Sequence, residues 1–570
     1  MNKIFKYIVP AAALMLSMGL ASCSDDLHVA PIDPGTKTEV YASQLFNKCY
    51  ANFGTAGNGG ANGDCDIDGI DGGTSGLYRQ LWNCQELTTD EAMCKWGDDG
   101  IAQFNYNTYD ATHPMTRGLY YRLCVGVAYC NQYLKAFSDS DAVMTAEVRF
   151  LRAYQYYLLM DQFGNVPFTT TISSSAPEQI KRADLYNWLV TELKDICGEG
   201  SDNSAVLADA APHAKGDNRW GRVDKAAGWL LLARLYLNGG VYAGTPDYDQ
   251  AAIYAKKVMD SGYELCTEGS SHEVTSNYNG ESRTQTWKFS AYQKLFMGDN
   301  GTNGANREAI FPILQDGKRT TSWGCGLYLI ASTHDGDMHD LAYDEWFSNA
   351  KDRSVNGVTA QAWGGNRCRP DLIRKFFPND DAPSGYSYQV VEAAEDDRAL
   401  FDTKGRTLDI TDPDNFASGY ATGKFTNFTT DGTPTSDATF PDMNVFLMRK
   451  AEAYLIYAEA LTRKAGDGTA PAQAVDAINT LRSRAHAATR STYTLGQIED
   501  EWSREFYFEG LRRTTLERFG DYAGLNASYK WQWKGGVYNG RNFDSYRSVF
   551  ALPNTDIIAN PNLHQNDGYK

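Results

Sequence analysis

The sequence predicts a mainly α-helical protein, with paired helices forming a scaffold on which a large loop-rich lobe is mounted. Three observations carry this. Apolar and small residues recur at helical spacing in blocks over residues 144–161, 225–261 and 445–519. The stretch 264–440 lacks that period and is rich in Gly, Asn, Asp and aromatic residues. With 570 residues, 42% hydrophobic and 22% charged, the chain can bury a large core and has an ordinary globular composition.

Lys3 and Lys6 open the chain, followed by an apolar run from Ile8 to Ala21. That run is too short for a membrane span and reads as a secretory leader over residues 1–22. It ends in Leu20-Ala21-Ser22-Cys23, small residues before a Cys. This resembles the bacterial lipobox, whose Cys thiol receives a diacylglycerol, so residues 23–45 are expected to be a lipidated tether. Acyl chains anchor by burying methylenes, at ~0.8 kcal/mol each. Ser24-Asp25-Asp26 then resembles the acidic signal that directs such lipoproteins to the outer face of the outer membrane. No later stretch has the apolar length to span.

Residues 144–161 place Val148, Leu151, Tyr154 and Leu158 on one helical face. Residues 225–238 and 248–261 read as two helices joined by a turn. Gly228, Leu231, Ala233 and Tyr236 lie on the first, and Ala251, Ala252 and Ala255 on the second. Small residues at those positions let paired helices approach closely, the pattern of a tetratricopeptide-like unit. Residues 445–463 and 471–487 form another pair through Ala453, Ala458, Ala474 and Ala477, and 498–519 reads as one long charged helix. Residues 46–263 and 441–570 are thus expected to hold the helix pairs, and 264–440 the lobe. A structureless loop of that length would be implausible, so short elements packed on the scaffold are expected there. Binding sites tend to lie on such loops.

The formal charge of −18 disfavours a nucleic-acid partner, which needs local positive charge. The chain has no H-E-x-x-H, G-x-S-x-G, Walker or dinucleotide motif. Ten Cys follow Cys23 without zinc spacing; Cys124 and Cys130 could bridge, and the others read as small buried hydrophobes. Asp64, Asp66, Asp68 and Gly69 begin a calcium-loop pattern, but Ser75 stands where a bidentate Glu is needed. His334, Asp335, Asp337, His339 and Asp340 crowd into seven residues and are expected to form a surface loop.

Several segments together resemble the SusD-like (RagB/SusD) family of nutrient-binding outer-membrane lipoproteins. They are the lipobox, SGLYRQLWNCQELTTDE at 75–91, EVRFLRAYQYYLLMDQFGNVPF at 147–168 and RVDKAAGWLLLARLYLNGGVY at 222–242. LMRKAEAYLIYAEAL at 447–461, EWSREFYFEGLRRTTLERFG at 501–520 and the closing NPNLHQNDGYK complete the set. The resemblance spans nearly the whole chain and looks closest to the starch-binding members. It implies four tetratricopeptide-like helix pairs supporting a variable ligand-binding lobe. It also implies an aromatic arc for a glycan, here Trp96, Trp323 and Trp363, with Arg79 and Asp99 as the polar pair and Trp82 as a further candidate. Asp99 stands where an Asn is usual, which replaces an amide donor with an acceptor. By the same resemblance Asn300, Gln315, Asp442 and Asn444 are tentative ligands for a structural calcium, with no cofactor required. The implied partner is a SusC-like TonB-dependent outer-membrane transporter. The expected function is non-enzymatic capture of a poly- or oligosaccharide at the extracellular face of the outer membrane, starch or maltooligosaccharide first and fructan next. The alternatives are a glycoside hydrolase, which needs only two placed carboxylates, and a structural lipoprotein that holds proteins.

Overall fold

A computed structural model describes residues 41–61, 65–338 and 355–569. The chain divides into two units, Met1–Leu45 and Phe46–Lys570. Of the first, only residues 41–45 are described, and 42–45 open the helix Ala42–Ala51. The second holds both the scaffold and the lobe. Cys23, Asp64, His339 and Asp340 lie outside the described residues.

The scaffold is a row of helices in which each packs against the next. Pro114–Phe137 packs on Ala142–Phe163, which packs on Arg182–Ile196, then Lys225–Leu237, then Tyr248–Met259. Tyr248–Met259 next packs on Ala451–Ala465, which contacts Ala472–Arg484 and Leu495–Phe506. Residues 260–450 are therefore looped out between two neighbouring scaffold helices. Such a row is quasi-one-dimensional, each member contacting mainly its neighbours, so an insertion between two members leaves the stacking intact.

Local sequence sets the helix starts. Asp141, Asp224 and Asp247 each accept a hydrogen bond from a first-turn backbone N–H, and Thr494 forms a capping box with Gln497. Pro114 opens the longest described helix at its first position. The small residues do what their spacing predicts. Ala251, Ala255, Ala453, Ala458, Ala474 and Ala477 are all buried. A β-carbon at Gly228 would lie 2.4 Å from Cys197 Sγ, so only Gly allows that approach.

Two expectations need correction. Residues 445–449 are not helical: Val445–Arg449 is a strand paired antiparallel with Ala309–Ile313, and the helix begins at Ala451. Residues 498–519 are two helices, Leu495–Phe506 and Arg512–Phe519. The break falls at Phe508, with φ of 63°, and Gly510, with φ of 80°. It turns Glu509 inward, where it binds Arg449 and Lys424. The helix Pro114–Phe137 was not anticipated. Within the lobe the longest described element is a hairpin of Ser270–Tyr278 and Glu281–Phe289. It is closed by Asn279 and Gly280 with φ of 51° and 80°, the pair of positive angles that a type I′ turn needs. Cys124 and Cys130 sit on one helix as free thiols.

A buried ionic network joins lobe to scaffold. Arg449, at the end of its strand, bonds Glu308 at 3.0 Å, Glu505 at 2.6 Å and Glu509 at 2.8 Å. Arg398 from the lobe bonds Glu501 at 2.8 Å and Glu505 at 3.2 Å. Arg484 bonds Glu308 and Glu505, and Lys424 bonds Glu509 at 2.8 Å. Burial alone would raise the Glu505 carboxyl, but Arg484, Arg449 and Arg398 bring it down to about 2. Glu501 is held at about 2 in the same way by Arg398, Arg504 and Arg482, against its burial. A folded pKa below the ordinary value contributes stability that is present above that value and lost as pH falls. The urea midpoint is therefore expected to fall between about pH 4.5 and pH 2, the span from the ordinary to the folded values. Glu505→Gln leaves three guanidinium groups short of a buried partner. It should cost roughly 3–5 kcal/mol at pH 7 and flatten that acid slope in the same titration.

Candidate ligand-binding surface

The strand Ala92–Cys94 pairs antiparallel with Asn366–Cys368, Cys94 opposite Asn366. The pairing continues as Lys95 N–H donates to Gly365 O at 3.0 Å. Trp96, from one strand's exit, and Trp363, from the approach to the other, therefore meet. The Trp96 indole packs so closely on Gly365 that a β-carbon there would come within 2.2 Å of the ring. Gly at 365 is thus a requirement of the ring's position.

The helix Gly326–Thr333 sets the rest. Its final carbonyls have no intrahelical partner. The N–H groups of Trp363 and Gly365 supply them, donating to Ala331 O at 2.7 Å and Ser332 O at 2.8 Å, while Gly364 donates to His334 O at 2.7 Å. Trp323 stands just before the other end of this helix. There Gly324 and Gly76 approach closely, a Gly76 β-carbon lying 3.5 Å from Gly324 Cα. Gly76 precedes the helix Leu77–Trp82, which carries Arg79.

These connections bring Trp96, Trp363 and Trp323 into a row. Ring centroids step 6.1 Å from Trp96 to Trp363 and 6.2 Å from Trp363 to Trp323, with planes turned by 52° and 48°. All three are half-buried. The Trp363 indole N–H donates to Gln361 Oε1 at 2.7 Å, which fixes its rotamer. Phe440 extends the row beyond Trp323, at 5.1 Å. The Arg79 guanidinium lies 4.8 Å from the Tyr328 ring centroid and 5.9 Å from that of Trp96. Arg79 Nε is buried with no hydrogen-bond partner among the described residues. Asp99 is exposed on the turn between Trp96 and the helix Ile101–Asn105.

Trp82 does not belong to this surface. Its side chain is fully buried, its indole N–H donates to Phe508 O at 2.8 Å, and its ring packs edge-on against Tyr328 and Phe508. Tyr328, not anticipated, underlies the row instead. Its hydroxyl donates to Asn83 Oδ1 at 2.5 Å and accepts from Asn366 Nδ2 at 3.0 Å. Asn83 opens a π-helical turn, Asn83–Leu87. Tyr328 lies in the same short segment as Trp323, the one signal that could have found it.

Asn300, Gln315, Asp442 and Asn444 do come together, but they bond to one another and to the backbone. Asn300 Oδ1 accepts from Asn444 N–H and Nδ2, and Asn444 Oδ1 accepts from Gln315 N–H. Asp442 accepts from Gly317 N–H, Ser436 N–H and the Ser436 hydroxyl. One carboxylate and amide oxygens already engaged are a poor set for a hard dication. Among the described residues no three His, Cys, Asp or Glu are grouped to hold a metal. Asp66, of the calcium-like loop, is instead engaged by Lys48 at 2.8 Å, Arg122 at 2.6 Å and Tyr129 at 3.0 Å. His334 is buried, with Nδ1 2.7 Å from Ile330 O, rather than on a surface loop.

A family profile described as the SusD family matches residues 402–569. The chain is 35% identical to the starch-binding protein SusD of Bacteroides thetaiotaomicron, across 100% of both proteins. Among solved structures it resembles surface glycan-binding protein A from Bacteroides fluxus, with a TM-score of 0.62, 19% identity and coverage of 95% of this chain and 100% of that one. It also resembles the corresponding protein of Bacteroides thetaiotaomicron in complex with laminarihexaose, at 0.60 and 21% identity, over 92% of this chain and 98% of that one. At these identities the structural likeness is one of fold.

The two kinds of tryptophan separate by stability. Trp82→Ala is expected to cost about 3–5 kcal/mol as a buried aromatic truncation. Trp363→Ala should cost a small fraction of that, both read from urea unfolding.

Proposed function

Because the chain belongs to the SusD family, we propose that it is a cell-surface protein that captures a glycan along the row Trp96–Trp363–Trp323 and does not cleave it. The row itself carries the reading. A pyranose offers an apolar C–H face that stacks on an aromatic ring, and three half-exposed rings about 6 Å apart can hold consecutive sugars while both chain ends stay free. The Arg79 guanidinium stands beside the first ring, where its N–H groups would meet a hydroxyl or ring oxygen. Asp99 supplies an acceptor on the adjoining turn. Nothing in this arrangement attacks a glycosidic bond, in keeping with relatives named for carbohydrate binding.

The turn of about 50° between successive rings suits a polymer that curves. Helical glucans curve, whereas flat ribbons present their faces in one plane. Starch or maltooligosaccharide therefore leads, in agreement with the 35%-identical relative. A β-1,3-glucan is the second reading, since a structural neighbour was solved with laminarihexaose, and fructan is third.

Cys23, as a lipid attachment site, would hold the row at the outer face of the outer membrane. A SusC-like TonB-dependent transporter is the partner to which captured sugar would pass. Tethering beside a transporter mouth raises the local concentration of ligand without new contacts.

In affinity gels containing amylopectin, laminarin or inulin, the wild-type protein is expected to be retarded by amylopectin most. Trp96→Ala and Trp363→Ala should each abolish the retardation while melting is preserved, and Gly365→Ala, which displaces the Trp96 ring, should weaken it. Unchanged retardation in both tryptophan variants would remove the row from the function. Sustained release of reducing ends during incubation would replace capture with hydrolysis.

A further inference from the structure

A second aromatic group stands apart from the row. Trp533 adopts a left-handed backbone, with φ of 67° and ψ of 7°. That conformation suits Gly or Asn and is strained for a bulky side chain. The turn after it needs this angle: Gly535 and Gly536 also have positive φ, and Tyr538 O accepts from Trp533 N–H at 3.1 Å. Below the turn, Lys534 is buried, its ammonium donating to Asp521 O at 2.9 Å and Tyr529 O at 2.8 Å. A Gly at 533 would meet the turn without strain, yet a Trp is there, and its ring is half-exposed. Tyr106 lies 5.6 Å from it and Tyr538 5.7 Å, the latter edge-on at 88°. Tyr538 is 36% exposed and the neighbouring Val537 39%. Strain retained at a half-exposed ring points to a role for the ring.

The platform and the row share one support. Asn105 is pinned to the strand that leads to Trp96, accepting from Cys94 N–H at 3.1 Å and donating to Cys94 O at 2.7 Å. Tyr106 follows Asn105 and Trp96 follows Cys94 by two residues, so their backbones lie within roughly 20 Å of each other. On the paired strand, Arg367 holds the loop 409–418 through Ser418 O at 2.5 Å and Pro413 O at 2.6 Å. The start of that loop holds Trp533, whose indole N–H donates to Ile410 O at 2.8 Å. The Trp533 ring is thus oriented by the same two-stranded sheet that brings Trp96 to Trp363.

We propose that Trp533, with Tyr106 and Tyr538, forms a second pyranose-stacking platform that engages the far end of a glucan chain held on the Trp96–Trp363–Trp323 row. This deepens the glycan-capture reading and rests on it. A chain of three sugars is held by the row alone, whereas a longer one reaches both. The protein therefore selects for chain length through two rigidly linked patches, and the gain is one of effective concentration rather than of new contacts at the row.

The test is calorimetric titration of the full chain with maltotriose, maltoheptaose, laminaritriose and laminariheptaose. Trp533→Gly relieves the strained angle and Tyr538→Ala removes an exposed ring, so each should melt as the wild type does; Tyr538→Ala serves if Trp533→Gly does not fold. Both are expected to lose about 10-fold in affinity for the preferred heptasaccharide, equivalent to ~1.4 kcal/mol, with trisaccharide affinity unchanged. Trp363→Ala should lose both. Heptasaccharide affinity equal to wild type in the platform variants overturns the platform while leaving the row standing. Loss in the platform variants with none in Trp363→Ala overturns the row instead. A wild-type protein that binds neither heptasaccharide overturns the platform and the glucan reading of the row together.

Discussion

The structure depends on the buried ionic cluster around Arg449 and Glu505. Three of its members, Glu501, Glu505 and Arg484, stand on scaffold helices. Arg449 and Glu308 stand at the paired strands where the chain enters and leaves the lobe, and Arg398 and Lys424 belong to the lobe itself. Removing such groups from water is expensive and is offset only if every charge finds partners of good geometry. Here partners come from both bodies: Arg398 of the lobe reaches Glu501 and Glu505 of the scaffold, and Arg449 reaches Glu505. Apolar contact would hold the lobe with less directional demand. The directional demand of these ion pairs favours a single orientation of the lobe on its scaffold.

That fixed orientation matters because the tryptophan row is assembled from distant parts of the chain. Trp96 comes from the scaffold side of the Ala92–Cys94 strand, while Trp323 and Trp363 come from opposite ends of the lobe helix Gly326–Thr333. The carbonyls at that helix's end are capped by the backbone of the segment bearing Trp363. The same hydrogen bonds that satisfy the helix terminus therefore also position a stacking ring. Gly365 lets the Trp96 ring lie on the backbone, and Gln361 fixes the Trp363 indole. Backbone hydrogen bonds and close packing thus fix the rings relative to one another.

The scaffold was legible where local physics and tertiary physics agree. Ala251, Ala255, Ala453 and Ala477 are small because helices pass close there, and their spacing alone reveals a face. Gly228 is the sharpest instance, since the neighbouring Cys197 leaves no room for a side chain. The misreadings arose where a tertiary partner overrides local preference. Residues 445–449 have a helix-compatible pattern but pair as a strand with 309–313, which lie far away in sequence. The segment 498–519 keeps a helical period, but it breaks at Phe508 and Gly510, where Glu509 turns inward toward Arg449. The Asn279-Gly280 turn went unread, although its two positive φ angles need those residue types.

The site divides in the same way. Sequence by itself determined which residue types are present, where two of the helix pairs lie, and that Trp96, Trp323 and Trp363 were candidates through family resemblance. It could not rank Trp82 against them, because burial depends on what packs over a side chain, and Phe508 and Tyr328 do so from positions 426 and 246 residues away. Nor could it give the 6 Å steps, the 50° turns or the Arg79 Nε left without a partner among the described residues, which exist only once strands 92–94 and 366–368 pair. It likewise could not show that Asn300, Asp442 and Asn444 are satisfied by one another and by the nearby backbone. Composition and spacing are local properties and survive in one dimension. The distance between rings and the partner of a buried donor are decided only when the chain closes on itself.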